Sequence, residues 1–119
     1  MKKFMSPIIC VDDQMGIMQD RYTAICEFLG GKCLYFENPE KALEEIKKGV
    51  EVELVISDFT LPEMNGNELI EKIKKFNPEI KCVIFSASPP AQSPADAVFQ
   101  KASGDRLKEI AEEIKKMLN

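Results

Sequence analysis

Leu54-Val55-Ile56-Ser57-Asp58-Phe59-Thr60-Leu61-Pro62-Glu63-Met64-Asn65-Gly66 is the stretch that decides the fold. A near-continuous apolar run leads into one acid, and a Pro- and Gly-punctuated turn follows it. Such a run is expected of a strand buried on both faces of a parallel sheet. A second run, Pro7-Ile8-Ile9-Cys10-Val11, also ends in acid, at Asp12 and Asp13. If the two runs are neighbouring parallel strands, three carboxylates meet at one sheet edge. Two carboxylates about 4 Å apart repel by roughly 4 kcal/mol at an effective dielectric near 20, so something positive must sit among them.

Working outward, short apolar strands are expected at about 5–11, 32–36, 52–57, 81–86 and 96–100, with helices at about 15–29, 39–48, 67–76 and 104–118 between and after them. Asn38 is placed to cap the second helix, with Pro39 at its first position and Gly49 at its end. Asn77-Pro78 stops the third, and Ser103 stands where it can cap the last. In that last helix Leu107, Ile110, Ala111, Ile114 and Leu118 form an apolar stripe opposite Lys and Glu. Strand–helix alternation in 119 residues implies one three-layer α/β domain spanning 1–119, with no linker and no internal repeat.

Composition narrows the function classes. Apolar residues make up 45% and charged residues 30%, the balance of a globular protein. A net charge of −4 with no dominant basic cluster argues against a nucleic-acid partner. Met1-Lys2-Lys3 looks like a leader, but the apolar stretch after it breaks at Asp12, too short to span a membrane. The expected place is the cytoplasm, with no membrane partner. Cysteines at 10, 26, 33 and 82 form no CxxC pair and there is no histidine, so a mixed zinc site and Ser/His or Cys/His nucleophiles are excluded. Each cysteine lies in an apolar run and reads as a buried, reduced thiol.

Open parallel sheets bind ligands beyond the carboxyl ends of their strands. Ser86 follows Val83-Ile84-Phe85 at that edge, and Lys101 follows Val98-Phe99-Gln100. With one Lys against three Asp, either a proton is retained or a divalent cation enters. Oxygen-only ligands favour Mg²⁺ or Mn²⁺. A cation beside a carboxylate, a Lys and a hydroxyl can stabilise a transferring phosphoryl group, and Asp can accept one covalently. On this reading Asp58 is the acceptor and Asp12 and Asp13 place the metal. Lys101 pairs with the incoming charge, and the Ser86 hydroxyl donates to a phosphoryl oxygen. The bland alternatives are Asp12-Asp13 capping the first helix, an incidental Ser86 hydroxyl and a solvated Lys101.

Val11-Asp12-Asp13, Asp58 through Gly66, Ser86-Ala87 and Lys101, in that order and at strand ends, make the chain resemble the receiver domains of two-component response regulators. The resemblance covers essentially the whole chain. It implies a flavodoxin-like, CheY-like fold with five parallel strands in order 2-1-3-4-5 and five helices. It implies Mg²⁺-dependent phosphorylation of Asp58 from the phosphohistidine of a sensor histidine kinase or phosphotransfer protein. Asp13 and Asp58 would contact the metal directly, Asp12 through water, and the Thr60 backbone carbonyl would complete the protein ligands. The domain would promote only its own phosphoryl transfer and hydrolysis, and it would act on an unidentified downstream protein without an output domain of its own. The other reading is a receiver-like binding module that no longer switches. Aspartate-nucleophile phosphatases are disfavoured, because they need an Asp where this chain has Thr60.

The chain departs from the family pattern in three places. Fourteen residues separate Ser86 from Lys101, where family members usually carry a full helix. Residues 87–95 hold three prolines, so at most about one helical turn can form. An extended or mobile link is expected there, with an antiparallel fifth strand as the geometric alternative. Ala102 stands where the family usually has a cis proline. A cis bond before Ala costs about 2.5–4 kcal/mol, so a trans bond or a rearranged loop is expected. Val98 stands where an aromatic switch residue usually lies, so the conformational readout is expected to differ.

Overall fold

The computed structural model describes residues 6–118. The strands are β1 (Ile8–Val11), β2 (Cys33–Phe36), β3 (Leu54–Ser57), β4 (Lys81–Ser86) and β5 (Ala97–Gln100). The helices are α1 (Met15–Leu29), α2 (Pro39–Lys47), α3 (Gly66–Phe76) and α4 (Asp105–Leu118). The strands form one sheet in the order β2-β1-β3-β4-β5, and every pairing is parallel. The expected flavodoxin-like architecture is therefore the one found. The expected start of the first strand, at position 5, lies outside the described residues.

Strand alternation divides the core into two layers. Ile8, Cys10, Leu54, Ile56, Val83, Phe85 and Phe99 face α1 and α4. Ile9, Val11, Val55, Cys82 and Ile84 face α2 and α3. All four residues of β1 and of β3 are buried, and all of them but Ser57 are apolar, so neither strand shows alternation. Tyr22 of α1 meets Phe85 of β4 edge-to-face, with ring centroids 5.6 Å apart.

Local signals set most helix ends. The Asn38 side chain accepts hydrogen bonds from the N–H groups of Glu40 and Lys41, with Pro39 following as the first helical residue. Asn65 and Glu68 close a reciprocal capping box on α3, at 2.9 and 3.0 Å. Gly30, at φ +80°, ends α1 in the left-handed region. The start of α4 differs from expectation. The helix begins at Asp105 after Gly104, which has φ +61°, so Ser103 lies one residue too early to be the cap.

No helix separates β4 from β5; residues 87–96 run as bends and extended chain. The helix that the resemblance places there is missing, and the final helix is thus α4. The parallel β4–β5 register removes the antiparallel alternative. Four side-chain hydrogen bonds hold the connector. The Asn67 side-chain amide donates to the Gln92 carbonyl at 2.8 Å, and the Ser93 hydroxyl donates to Asn67 Oδ1 at 2.6 Å. Asp96 Oδ2 accepts from Lys74 Nζ at 2.7 Å and from the Cys82 N–H at 2.8 Å.

Partial burial pushes the Asp96 carboxyl upward, but the Lys74 ammonium and the Cys82 N–H outweigh it and hold the group below its ordinary range. A depressed carboxyl contributes stability above its unfolded value, about 3.9, and loses it as pH falls through the folded value. Asp96→Asn is therefore expected to lower the denaturant midpoint at neutral pH. The gap from the parent should close as the pH is taken below about 3.9. Urea melts at a series of pH values check this; a gap of constant size would show that the charge contributes nothing.

Candidate functional site

The carboxyl ends of β1 and β3 lie side by side, and the ladder continues one residue past each. The Asp12 N–H donates to the Phe36 carbonyl at 3.0 Å, and the Asp58 N–H donates to the Val11 carbonyl at 2.9 Å. These bonds set two acids at one edge. Asp13 joins them, and oxygens of Asp12, Asp13 and Asp58 all lie within 4.8 Å of one another. Asp12 and Asp58 are buried, whereas Asp13 is exposed.

Lys101 comes from the far side of the sheet. Its N–H donates to the Ser86 carbonyl at 2.8 Å, which fixes the residue beside the end of β4. Its ammonium lies 2.9 Å from Asp12 Oδ2 and 3.0 Å from Asp58 Oδ2, bridging the two buried acids. Burial pushes the Lys101 amine downward, but both carboxylates outweigh that and hold it above its ordinary range. It stays charged at any physiological pH. The described residues contain no cis peptide bond, so the Lys101–Ala102 link is trans, and the ammonium still reaches both acids.

Asp12 is fully engaged. Its Oδ1 accepts from the Gln14 N–H at 2.9 Å, and its Oδ2 accepts from the Tyr22 hydroxyl at 2.9 Å as well as from Lys101. Burial, then the Asp12 charge, holds the Tyr22 phenol well above its ordinary value, so it remains a donor. Asp12 does not act as the cap of α1; the residue at that position is Gln14, which makes no side-chain capping bond. Asp58 is freer. Its Oδ2 faces Lys101, and its Oδ1 has only the Thr60 N–H at a long 3.4 Å. Ser86 is buried at the same edge, where its hydroxyl oxygen accepts from the Ser88 N–H at 3.2 Å.

The stretch after Asp58 keeps it in place. The Gly66 N–H donates to the Phe59 carbonyl at 2.7 Å, closing the loop onto the start of α3. Met64, inside the loop, is buried, and its N–H donates to the Pro62 carbonyl at 2.8 Å. Two functional neighbours escape a reading of the sequence. Tyr22 lies within the helix expected at 15–29 with no local signal of a polar partner, and Asn65-x-x-Glu68 carries the spacing of a capping box.

Residues 8–118 match the response regulator receiver domain family. The chain belongs to that family. Among curated relatives, this receiver domain is 26% identical to the response regulator receiver protein CpdR of Brucella abortus, covering 96% of this chain and 98% of CpdR. It is 36% identical over 84 residues to the sensor kinase CckA of the same organism, a match that takes in 66% of this chain and 9% of the kinase. It is 34% identical over 83 residues to the transcriptional regulatory protein ZraR of Klebsiella oxytoca, and the matched part is 67% of this chain and 18% of that protein. Among solved structures, a CheY-like receiver domain protein from Methanospirillum hungatei superposes with a TM-score of 0.81 at 26% identity, covering 97% of this chain and 94% of that one. TrrA of Thermotoga maritima, solved in complex with Mg²⁺-BeF, gives 0.80 at 27% identity, with 95% and 99% covered. Membership settles the broad role as a two-component signalling domain rather than a conventional enzyme. Among the described residues, no helix is long and apolar enough to cross a membrane.

Proposed function

We propose that this receiver domain accepts a phosphoryl group on Asp58, in a Mg²⁺-dependent step, from the phosphohistidine of a sensor histidine kinase or phosphotransfer protein in the cytoplasm. The observation that carries the reading is the Lys101 ammonium set between Asp12 and Asp58, with Asp13 alongside. Those three acids offer hard oxygen donors only, which suits Mg²⁺. The receiver-family pattern implies that Asp13 and Asp58 would hold the cation directly, the Thr60 carbonyl would be the third protein donor and Asp12 would act through water; the Gln14, Tyr22 and Lys101 partners already on Asp12 fit that indirect part. When bound, the cation would supply charge to offset the phosphoryl oxygens.

The protein's own part is positioning. An Asp58 carboxylate oxygen attacks phosphorus; the bond from phosphorus to the donor nitrogen breaks, and the imidazole keeps the electron pair. The Lys101 ammonium meets the charge brought to Asp58, and the Ser86 hydroxyl donates to a phosphoryl oxygen. Attack of water on the same phosphorus would return free Asp58 and phosphate. Output would pass through protein–protein contact.

The test is intact mass after treatment with a small phosphoryl donor and Mg²⁺. One phosphoryl adduct is expected on the parent chain and none on Asp58→Ala or after chelation of the metal. A parent chain that gains no adduct would favour the second reading, a binding module that no longer switches. The helix-free connector and Val98 in the switch position favour that alternative.

A further inference from the structure

β1, α1 and β2 each bring one cysteine to a single point below the acidic edge. Cys10 of β1 and Cys26 in the last turn of α1 are buried, while Cys33, the first residue of β2, is partly exposed. The expectation of four reduced thiols is corrected here. Cys26 and Cys33 are joined in a disulfide, with Cα atoms 6.3 Å apart, inside the span such a bond bridges. Cys10 and Cys82 are free and buried, as expected. Cys10 Sγ lies 3.8 Å from Cys26 Sγ and 3.7 Å from Cys33 Sγ. The phosphoacceptor site uses none of these sulfurs.

We propose that this trio is a thiol–disulfide exchange site, whose co-reactants are low-molecular-weight thiols and disulfides. Exchange needs a sulfur that an outside thiolate can reach, and Cys33, partly buried at the start of β2, is the one residue of the trio that is not fully enclosed. Attack of that thiolate on Cys33 Sγ forms a mixed disulfide and expels Cys26 as the thiolate. The Cys10 S–H, 3.8 Å away, faces that buried thiolate as a donor. Burial pushes the Cys10 thiol far above its ordinary range, so it stays protonated and does not compete as a nucleophile. A second outside thiolate then attacks the outer sulfur and releases Cys33. The sum is one protein disulfide plus two thiols giving one protein dithiol plus one small disulfide, and the reverse reaction oxidises the pair. Cys33 Sγ lies 3.6 Å from the Tyr22 carbonyl, which could accept from its S–H once the bond is reduced. The turn between the two cysteines is set in advance, since the Gly31 N–H donates to the Cys26 carbonyl at 2.9 Å.

The full chain, reduced and then equilibrated with glutathione and glutathione disulfide at varied ratios, tests this. After acid quench and alkylation, trypsin cuts after Arg21 and Lys32, placing Cys10, Cys26 and Cys33 on separate peptides, 4–21, 22–32 and 33–41. Expected is a link between 22–32 and 33–41 that appears and disappears with the ratio. It should bring the loss of two hydrogen masses and of two of the four alkylation sites. Cys26→Ser should trap glutathione on Cys33, and Cys33→Ser should leave Cys26 unmodified in the folded protein. The unaltered chain decides the main point without either variant. A link that ignores the ratio, a link that includes Cys10, or a stoichiometric soft metal ion that blocks oxidation would each overturn the proposal.

Discussion

Lys101→Met is expected to slow Mg²⁺-dependent phosphoryl uptake by about 100-fold, the scale of losing one preorganised charge aimed at a reacting centre. The ammonium is nearly enclosed and has two carboxylate partners at 2.9 and 3.0 Å. It is therefore fixed in place before any phosphoryl group arrives. Methionine keeps much of the stem and removes the charge. The loss is uneven. Asp12 retains the Gln14 N–H and the Tyr22 hydroxyl, whereas Asp58 retains only the long contact from the Thr60 N–H. The damage should thus fall on Asp58 rather than on the folding of β1. Accumulation of phosphoryl mass against time, at saturating Mg²⁺, gives the rate. An unchanged rate would remove Lys101 from the transfer step.

Gly66→Ala should be the most damaging small substitution near the site, costing about 1–3 kcal/mol of stability through overpacking. A Cβ at this position would collide with the Asp58 carbonyl oxygen, lie 2.8 Å from Ile84 Cδ1 and sit 3.0 Å from Phe59 Cα. Two of those three neighbours are backbone, so no side-chain rotation relieves them. Either α3 moves away from the sheet, or the Asp58 loop shifts and the Gly66-to-Phe59 hydrogen bond at 2.7 Å breaks. Both routes displace Asp58. The midpoint of urea unfolding should fall, and phosphoryl uptake should fall with it. A variant with parental stability and parental uptake would show that the loop adapts without cost.

Much of this architecture was legible because its signals are local. α1 and β4 fall at their expected bounds, 15–29 and 81–86, since each is a long patterned segment with clear punctuation. β3 begins two residues later than its apolar pattern, at Leu54, because Val52 precedes the first ladder partner, Leu54 opposite Lys81. The acidic edge was legible because Asp12, Asp13 and Asp58 each follow an apolar strand. What escaped depends on contacts between residues distant in sequence. Nothing near Tyr22 announces that its hydroxyl ends at Asp12, since only the twist of α1 over β1 brings them together. The cysteine trio is hidden for the same reason. Positions 10, 26 and 33 have no motif spacing, and three separate elements must pack before the sulfurs meet.

The connector between β4 and β5 has a thermodynamic consequence. Its three prolines fix φ at three positions, so the unfolded chain already has fewer conformations to lose there. Asn67, Ser93 and Asp96 then hold what freedom remains. Were a protein to dock on this face, the ordering entropy opposing the association would be small. Any difference in affinity between two chemical states of Asp58 would then have to come from charge and contact, because the segment has little disorder left to exchange.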